Sequence, residues 1–491
     1  MQSGRPLGPP AQIRPGESGE GSVRYSVLIS INTPGAASSV EDVEAATSPD
    51  LEKVINRIGR ELHASLPSRS RHPVRALDDK AMELASRDAE LRAALFRLVD
   101  VTPACRSLDD LARHLTGYLD EVEERPQSVD AAMRASRSAA GRRALGAAAA
   151  TGVRHMAHRF IVGESPQAAL GVLRRLWEGD AASSVDLLGE ATVTQGEADR
   201  YATRCREALE TLAAATASWP GRPALEADSA GPLARVNLSV KVSALTPLMR
   251  PEAPEVGRDD AATRMRPLLR RAKELGAHLH IDMESLDALE TTLDLVGEVL
   301  DEAEFADGPS AGVVLQAYLR ESPEQLDRLL EWAARSPRTP PLTVRLVKGA
   351  YWDHEVVEAR QHGWKPPVFE CKADSDRNFE ALTRRLLDAR PSVRVAVASH
   401  NLRSVAHAIA FNRMAGGEDR DLELQVLRGL GDDLQQALAA QGMRVRTYCP
   451  VGDLVAGMAY LVRRLLENTS NDSFLGEMGR GAPIEELLAA P

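Results

Sequence analysis

The sequence predicts an α/β protein built on a (β/α)8 barrel of the TIM type, preceded by an all-helical region. Eight short apolar or β-branched segments recur between residues 184 and 448. Amphipathic helical patterns separate most of them, and this alternation is typical of a (β/α)8 barrel. No G-x-G-x-x-G motif follows any of the segments. This disfavours the competing architecture, a doubly wound open sheet that binds a dinucleotide.

The first 40 residues predict a disordered tail or an arm. Residues 1–22 contain 5 Gly, 4 Pro and 3 Ser, and such a segment buries too little apolar surface to offset its ordering entropy. Residues 23–31 predict a strand, or an arm that docks on a partner subunit. A helical domain is expected over 41–175, because apolar residues recur at helical spacing. Its expected helices cover 42–65, 77–99, 107–123 and 127–160.

The barrel is expected over residues 176–475, followed by a C-terminal tail at 476–491. The strand patterns cover 184–190, 236–245, 278–284, 312–319, 342–348, 393–399, 422–427 and 445–448. The helical patterns between them include 262–275, 285–303, 323–334 and 378–388.

Composition and charge exclude several classes of protein. The chain has 491 residues, and 71 acidic against 60 basic residues give a formal net charge of -11. Non-specific nucleic-acid binding is disfavoured, because it requires basic residues that neutralise phosphates. No apolar run of about 18 residues predicts a spanning helix, and the polar N-terminus carries no secretory signal. Four widely spaced cysteines fit a reducing cytoplasm rather than a disulfide framework or a zinc site.

Polar side chains stand near the carboxyl ends of the expected strands. In a barrel these positions indicate function, because we expect the packed interior to be apolar. Burying so many polar groups at one mouth without a ligand is costly, so together they predict a ligand site. The residues are Asp186, Glu190, Lys241, Asp282, Glu284, Gln316, Arg345, Lys348, His400, Asn401, Glu423, Gln425 and Tyr448.

The densest of these segments is RLVKGAYW, residues 345–352. Its strand carries a cation at each end, a glycine that allows close backbone approach follows, and two aromatic residues come next. This combination favours an anionic, planar ligand. A strand that ends in a turn with a surface lysine is the alternative.

A second segment, YLVRRLLEN at 460–468, predicts carboxylate recognition. On a helix, Tyr460, Arg463 and Glu467 share one face, and Arg464 lies about 100° round from Arg463. Two adjacent arginines can converge on one carboxylate and bind it in a bidentate manner. The alternative is pairing of these side chains with one another on a solvated helix face.

A third segment, HLHIDME at 278–284, raises a rival class, a metal-dependent hydrolase on the same barrel. Its H-x-H spacing can place two imidazoles on one ion. Both histidines, however, stand at the start of the strand, away from the functional face, and only His400 could supply a later ligand. Hydrogen-bonded core histidines are the favoured interpretation, so we expect no metal.

Together these segments resemble the proline dehydrogenase family, most closely the proline dehydrogenase half of the bifunctional proline-utilisation flavoenzymes. The resemblance covers about residues 70–475. It implies a distorted (β/α)8 barrel with FAD at its C-terminal face. It also implies oxidation of L-proline to Δ1-pyrroline-5-carboxylate by hydride transfer to flavin N5, with electrons passed to a membrane quinone. The matching stretches include VDLLGEATVTQGEADRY (185–201), VRLVKGAYWDHEV (344–356), VFECKADSDRNFE (368–380) and YLVRRLLENTSNDSFL (460–475).

The resemblance also implies site residues. Arg345 would lie near flavin N5, and the proline carboxylate would be clamped by Lys241, Arg463 and Arg464. Glu467 would orient the arginines. The cofactor would be lined by Arg345, Val347, Lys348, Gly349 and Trp352, and held further by Gln316, Lys372, Ser375, Ser399, His400 and Asn401. The ring pocket would be shaped by Asp282, Tyr351, Leu427, Tyr448 and Tyr460.

The sequence departs from the bifunctional members in places. It ends at IEELLAAP, where they continue into an aldehyde dehydrogenase domain, so we expect the second oxidation to be absent and a separate aldehyde dehydrogenase to be a candidate partner. No basic segment matches the DNA-binding region of some members, and Ser375 stands where the family more often carries Thr. We expect a cytoplasmic protein, peripheral at the inner face of the membrane where its quinone lies. A catalytically silent scaffold or docking subunit of the same fold is the alternative, although the retained Lys241, Arg345, Arg463 and Arg464 speak against it.

Overall fold

The computed structural model of the chain describes residues 48–67, 89–189, 191–453, 457 and 481–491. Several predictions fall outside this part of the chain. They are the tail or arm at 1–40, the helical positions 42–47 and 77–88, Glu190, and the carboxylate-recognition segment at 460–468.

The predicted helical region before the barrel is confirmed. The helices are α1 (Pro49–Ser65), α2 (Ala89–Val101), α3 (Leu108–Asp120), α4 (Gln127–Ala135), α5 (Ala139–Phe160) and α6 (Pro166–Glu178). Serine side chains cap the starts of α1, α3, α5 and α6, and each accepts the backbone N–H three residues further on. Such caps satisfy amides that the first helical turn leaves without a partner.

The prediction of a single helix over 127–160 is wrong, because the chain breaks between α4 and α5. Ser136 Oγ donates to the carbonyl of Met133 at 2.7 Å, and Ser138 Oγ accepts from the N–H of Gly141 at 3.0 Å. Serine hydroxyls compete with the helix for backbone groups, which ends one helix and caps the next. Apolar spacing does not report this local competition.

The predicted (β/α)8 class is confirmed by a closed barrel of eight parallel strands whose order follows the chain. The first strand pairs with the last over seven residues, from Ala181↔Val445 to Leu187↔Val451. It meets the second through two residue pairs only, Val185↔Leu238 and Asp186↔Ser239. The strands are β1 (Ala181–Leu187), β2 (Asn237–Lys241), β3 (His278–Asp282), β4 (Ser310–Gln316), β5 (Leu342–Val347), β6 (Val393–Ala398), β7 (Leu422–Leu427) and β8 (Val445–Val451).

Helices cover the outside of the barrel. The longer ones are α7 (Gln195–Thr216), α8 (Pro254–Leu275), α9 (Leu286–Leu300), α10 (Ser322–Arg335), α11 (Trp352–His362), α12 (Lys372–Asp388), α13 (Leu402–Met414) and α14 (Asp432–Ala440). Single helical turns occupy Pro223–Glu226, Val242–Leu245 and Ile484–Leu487, and a two-residue ladder joins Ala227–Asp228 to Gly231–Pro232. Within the part of the chain given above, no helix has the length and apolarity needed to cross a membrane.

The predicted strand at 236–245 extends too far, since β2 ends at Lys241 and a helical turn follows. Val242 and Leu245 of that turn are as deeply buried as the strand itself. Hydrophobicity therefore continues past the point where the backbone leaves the sheet, and it does not mark the end of the strand.

The expectation of an apolar barrel interior is wrong. Asp228, beside the N-terminal end of the barrel, pairs with Arg394 at 2.9 Å and with Arg444 at 3.0 Å. Arg446 of β8 pairs with Glu423 of β7 at 2.8 Å. All five side chains are buried. Each buried charge has a partner, which offsets its loss of hydration.

The two ends of the described chain pack on the same side of the barrel, at α13. Arg403 contacts Glu52 of α1 at 2.6 Å and Glu380 of α12 at 2.8 Å. It also donates to the carbonyl of Leu488 at 2.9 Å. One buried guanidinium thus links the helical region, the barrel helices and the final residues.

Candidate functional site

Five side chains meet inside the C-terminal end of the barrel, and we call them the inner cluster: Asp186, Lys241, Asp282, Arg345 and Tyr448. Lys241 Nζ donates to Asp186 and lies 3.6 Å from Asp282 Oδ2. Arg345 Nη1 donates to Asp282 Oδ1 at 2.8 Å, and Tyr448 OH donates to Asp282 Oδ2 at 2.6 Å. Asp282 is therefore the acceptor that joins three strands of the barrel.

The charges of the inner cluster are balanced. Burial alone would lower the pKa of Lys241, but the attraction of Asp186 and Asp282 outweighs it and holds the pKa above its usual value. Burial and the same two carboxylates raise the pKa of Tyr448, so its hydroxyl keeps its proton. Two cations face two anions, so the cluster by itself offers no excess charge to a bound anion.

Strand register explains why these side chains meet. Successive residues of a strand point to opposite faces, so every second residue lines the interior. Lys241 and Asp282 are paired neighbours in β2 and β3. Ser184 and Ser239 leave room for the Arg345 guanidinium, and each accepts a hydrogen bond from it at 3.3 Å. Arg345 Nε is buried and finds no partner among the described residues.

A second group of charges follows β5, and we call Lys348, Lys372 and Asp376 the rim cluster. Lys348 Nζ donates to Asp376, and Lys372 Nζ donates to Asp376 Oδ2 at 3.0 Å. Burial lowers the pKa of Lys348, and Asp376 offsets only part of that effect. Two cations share one carboxylate here, so the rim cluster keeps one excess positive charge.

Backbone and amide groups beside the rim cluster also suit a ligand. Gln316 Nε2 donates to the carbonyl of Glu284 at 3.1 Å, while its Oε1 is buried with no partner in the described part of the chain. Gly349 has a φ of +132°, and a Cβ there would lie 2.4 Å from the ring of Tyr318. Only glycine fits this close approach. Trp352 is 38% exposed beside it.

The loop after β6 contributes a third part of the rim. His400 Nε2 accepts from the N–H of Leu427 at 2.9 Å. Ser399 Oγ accepts from the N–H of Asn401 at 3.1 Å, and Asn401 Oδ1 caps α13. These bonds fix the loop against the end of β7.

The structure brings together most of the predicted site residues that it describes. Lys241, Asp282, Arg345 and Tyr448 form the inner cluster with Asp186, while Lys348 and Lys372 carry the rim charges. Tyr351 and Leu427 are half-buried, and Ser375 is buried in the first turn of α12. The predicted positions that lie outside the described residues are Glu190, Tyr460, Arg463, Arg464 and Glu467.

One strand-end prediction is wrong, and the predicted site omits two ion-pair partners. Glu423 pairs with Arg446 inside the barrel and does not stand at the mouth. Gln425 donates to Glu423 at 2.6 Å and is paired with Ala398, the last residue of β6. The predicted site omits Asp376, although its position four residues after Lys372 on a helix indicates an ion pair. It also omits the role of Asp186 as the partner of Lys241.

The H-x-H pair has the structure of a core element. His278 Nδ1 lies 2.8 Å from Ser310 Oγ, and His278 Nε2 lies 3.1 Å from His280 Nδ1. Burial lowers the pKa of His278 to about 3 and holds that of His280 well below its usual value, so both rings are neutral. Gly312 packs directly against the His280 ring. These contacts favour the core interpretation over a hydrolase centre.

Comparison with known families supports the resemblance. The sequence matches the proline dehydrogenase family over residues 169–477, more than half of the chain and the part that forms the barrel. It also matches the proline utilization A N-terminal domain over residues 52–160, which contain most of α1 and all of α2 to α5.

Individual relatives agree with this assignment. The chain is 33% identical over 350 residues to the bifunctional protein PutA of Escherichia coli, covering 69% of this chain but only 25% of that protein. It is 30% identical over 326 residues to the proline dehydrogenase of Deinococcus radiodurans, covering 65% of this chain and 89% of that protein. A crystal structure of proline utilization A from Bdellovibrio bacteriovorus, inactivated by N-propargylglycine, aligns with a TM-score of 0.82 and 36% identity over 90% of this chain and 44% of that chain. The barrel, its two charge clusters and these matches lead to one conclusion: the chain belongs to the proline dehydrogenase family of enzymes.

Proposed function

We propose that this chain oxidises L-proline to Δ1-pyrroline-5-carboxylate, with FAD as the hydride acceptor and a membrane quinone as the final oxidant. One observation carries the proposal. A charge-balanced inner cluster adjoins a rim that keeps an excess cation and a buried Gln316 oxygen with no partner among the described residues. The first arrangement suits a small zwitterion, and the second suits an anionic cofactor with hydrogen-bonding ring edges. The chain spans only a quarter of the length of the bifunctional relatives, so we do not assign all of their activities to it.

The residues present fit a flavin. Lys348 and Lys372 share one carboxylate and can attract a pyrophosphate, while Gln316 Oε1 can accept from a ring N–H. At Gly349 the backbone packs against the ring of Tyr318 so closely that no side chain would fit there. When bound, FAD supplies the two-electron oxidation by accepting a hydride. We assign cofactor binding to Gln316, Arg345, Val347, Lys348, Gly349, Trp352, Lys372, Ser375, Ser399, His400 and Asn401.

The protein's own task is to align the substrate and exclude water. The hydride leaves the ring carbon next to nitrogen, and the nitrogen loses one proton as the C=N bond forms. Because Lys241 and Arg345 are neutralised by Asp186 and Asp282, we assign the excess charge that holds the proline carboxylate to Arg463 and Arg464. Lys241 orients that carboxylate, and Arg345 stabilises negative charge on the reduced cofactor. We assign the ring pocket to Asp282, Tyr351, Leu427, Tyr448 and Tyr460, with Glu467 orienting the arginines.

The first experiment is anaerobic mixing of the purified protein with L-proline. We expect a yellow protein whose oxidised-flavin absorbance bleaches, with formation of a product that reacts as pyrroline-5-carboxylate. A yellow protein that is not bleached would support the silent scaffold instead, and a colourless protein would reject the flavoenzyme altogether. To test the proposed acceptor, a soluble quinone analogue is added to the bleached protein, and the yellow colour should return. To test the peripheral membrane location, the protein is mixed with anionic lipid vesicles, and it should be recovered with them.

Two variants separate substrate contacts from cofactor contacts. Arg464→Met should raise the proline KM at least ~10-fold while FAD stays bound, because it removes one charged contact to the carboxylate. Arg345→Met should instead slow flavin reduction and change the flavin potential. Arg420→Met, at an exposed pair with Glu418, is the matched control and should leave both properties unchanged. An unaltered KM for Arg464→Met, or normal reduction by Arg345→Met, would reject the respective assignment.

The product needs a further oxidation if it is to enter carboxylate metabolism, and a separate aldehyde dehydrogenase is the proposed partner. The relatives named bifunctional support a coupled second activity. Affinity purification of the full chain from its host should recover such an enzyme, and its absence from the recovered proteins would argue for free diffusion of the product.

A further inference from the structure

Three potential metal ligands lie together in the helical region, on residues that take no part in the two charge clusters. They are Cys105, Asp110 and His114, and each offers one ligand atom. These atoms all lie within 4.8 Å of one another, and all three side chains are partly exposed, so a hydrated ion can reach them. The cysteine spacing alone gave no sign of such a site, because the other two ligands are not cysteines.

The local fold creates this arrangement. A single 3-10 turn, Thr102–Ala104, ends α2 and places Cys105 just before the next helix. Ser107 then caps α3, which puts Asp110 in its first turn and His114 one turn later. Residues four apart on a helix lie on the same face. Cys105 is therefore held next to a carboxylate and an imidazole that already point the same way.

The contacts that these ligands now make are weak enough for an ion to displace. Cys105 Sγ lies 3.5 Å from the carbonyl four residues before it, and His114 Nδ1 lies 3.5 Å from a tyrosine hydroxyl one turn on. Asp110 accepts from Arg113 at 3.2 Å, but the Arg113 side chain is 69% exposed. Its other oxygen accepts a backbone N–H at 3.1 Å. A bound ion would thus replace only hydrogen bonds whose lengths are at or beyond the usual value, and an ion pair that is open to solvent.

We propose that Cys105, Asp110 and His114 bind one divalent cation of borderline softness, of which Zn²⁺ fits best, with water as the fourth ligand. Thiolate, imidazole and carboxylate are all zinc ligands in tetrahedral sites, whereas Mg²⁺ and Ca²⁺ require oxygen ligands. As the sulfur–metal bond forms, the S–H bond breaks and its proton leaves to solvent, and no electron is transferred.

Such a site would have a structural effect. It would join the turn after α2 to the first two turns of α3, which pack together through an apolar cluster that includes Leu98, Leu111 and Leu115. A ligand that binds only the folded state raises its stability. Bound ion should therefore raise the unfolding temperature of the helical region.

The test is titration of the metal-free full-length protein with Co²⁺ and Zn²⁺. Co²⁺ bound by a thiolate gives intense near-ultraviolet charge-transfer absorption and visible bands beyond those of a flavin, and Zn²⁺ should displace it. We expect one ion per chain and a higher unfolding temperature with Zn²⁺. Cys105→Ser should abolish the charge-transfer band, and His114→Ala should weaken binding at least ~10-fold.

Cys371→Ser is the matched control, because that cysteine is exposed and lies outside the proposed ligand set. It should bind Co²⁺ like the unaltered protein. Cobalt spectra that persist in Cys105→Ser, that vanish equally in Cys371→Ser, or that never form would overturn the proposal. Circular dichroism of Cys105→Ser and His114→Ala checks that the helices remain. Because these residues lie outside the oxidation site, proline-dependent flavin bleaching should continue in both variants whether or not the metal binds.

Discussion

The buried pair of Lys241 and Asp186 provides a sharp test of how the barrel interior is stabilised. The Lys241 side chain is 14% exposed and Asp186 is 1% exposed. Lys241→Met removes the ammonium and leaves the Asp186 carboxylate buried, without another ion-pair partner among the described residues. It also leaves Asp282 with Arg345 as its remaining cation. We therefore expect a loss of stability far larger than that of a surface ion pair.

The magnitude follows from the burial of the pair. Removing one partner of a buried ion pair costs about 3–5 kcal/mol, because an uncompensated charge remains in a poorly hydrated place. Lys53 and Asp50 form a matched reference, since their side chains are 76% and 80% exposed at an N···O distance of 2.9 Å. Lys53→Met should cost less than about 1 kcal/mol. The two substitutions are chemically identical, so burial alone accounts for the difference.

The assay is urea denaturation at neutral pH, with the free energy of unfolding compared for both variants. Neutralising the orphaned carboxylate by Asp186→Asn in the Lys241→Met background should recover most of the loss. Since the folded-state pKa of Lys241 is raised, the pair's contribution is complete below the lysine's unfolded pKa and disappears only as the pH rises through the folded value. Lys241 should thus stay charged in the folded, unaltered protein from about pH 6 to pH 9, which is the range for the comparison. A loss below about 1 kcal/mol for Lys241→Met, or no recovery in the double variant, would falsify the reasoning.

Three further predictions concern the backbone, the buried histidines and the chain ends. Gly349→Ala should reduce FAD retention and cost about 1–3 kcal/mol, because its Cβ would enter an aromatic ring 2.4 Å away; Gly363→Ala, at a φ of +69° with open space around it, is the control and should retain FAD. Burial lowers the pKa of His278 to about 3, so the unfolded chain binds more protons than the folded one from about pH 6.5 downward, and the unfolding temperature should fall on acidification. In thermal unfolding scans, His278→Asn should reduce the difference in unfolding temperature between pH 7 and pH 5. An unchanged difference would contradict this prediction. Arg403→Met should lower the free energy of unfolding by about 3–5 kcal/mol in urea denaturation, because Glu380 stays buried without its partner. A second substitution, Glu380→Gln, should recover part of this loss, and no recovery would contradict the prediction.

The outline of the fold follows from local pattern. Buried positions recur every two residues in a strand and about every 3.6 residues in a helix. This periodicity can be recognised in the sequence without any knowledge of contacts. The strand at Leu422–Leu427 is predicted with its observed bounds. The break between α4 and α5 is not, because it depends on serine hydroxyls that bond to nearby backbone groups rather than on the apolar pattern.

The candidate site was predicted in part for a related reason. Lys241, Asp282 and Arg345 stand on strands where an ionisable side chain is unusual, so each can be singled out from the sequence. Their partners could not be chosen in this way. Lys241 and Asp186 are 55 positions apart, and Arg345 and Asp282 are 63 apart. Glu423 looked equivalent to them but pairs deeper in the barrel with Arg446.

The sequence by itself determined the class of fold, the family resemblance and which polar residues were unusual, because these depend on residue type and spacing along the chain. The tertiary structure alone decided that the inner cluster is neutral, that the rim keeps an excess positive charge, and that the barrel interior is polar. The state of a buried charge depends on which groups lie within a few ångströms of it. Closure of the barrel sets those neighbours, and it joins residues that the chain keeps far apart.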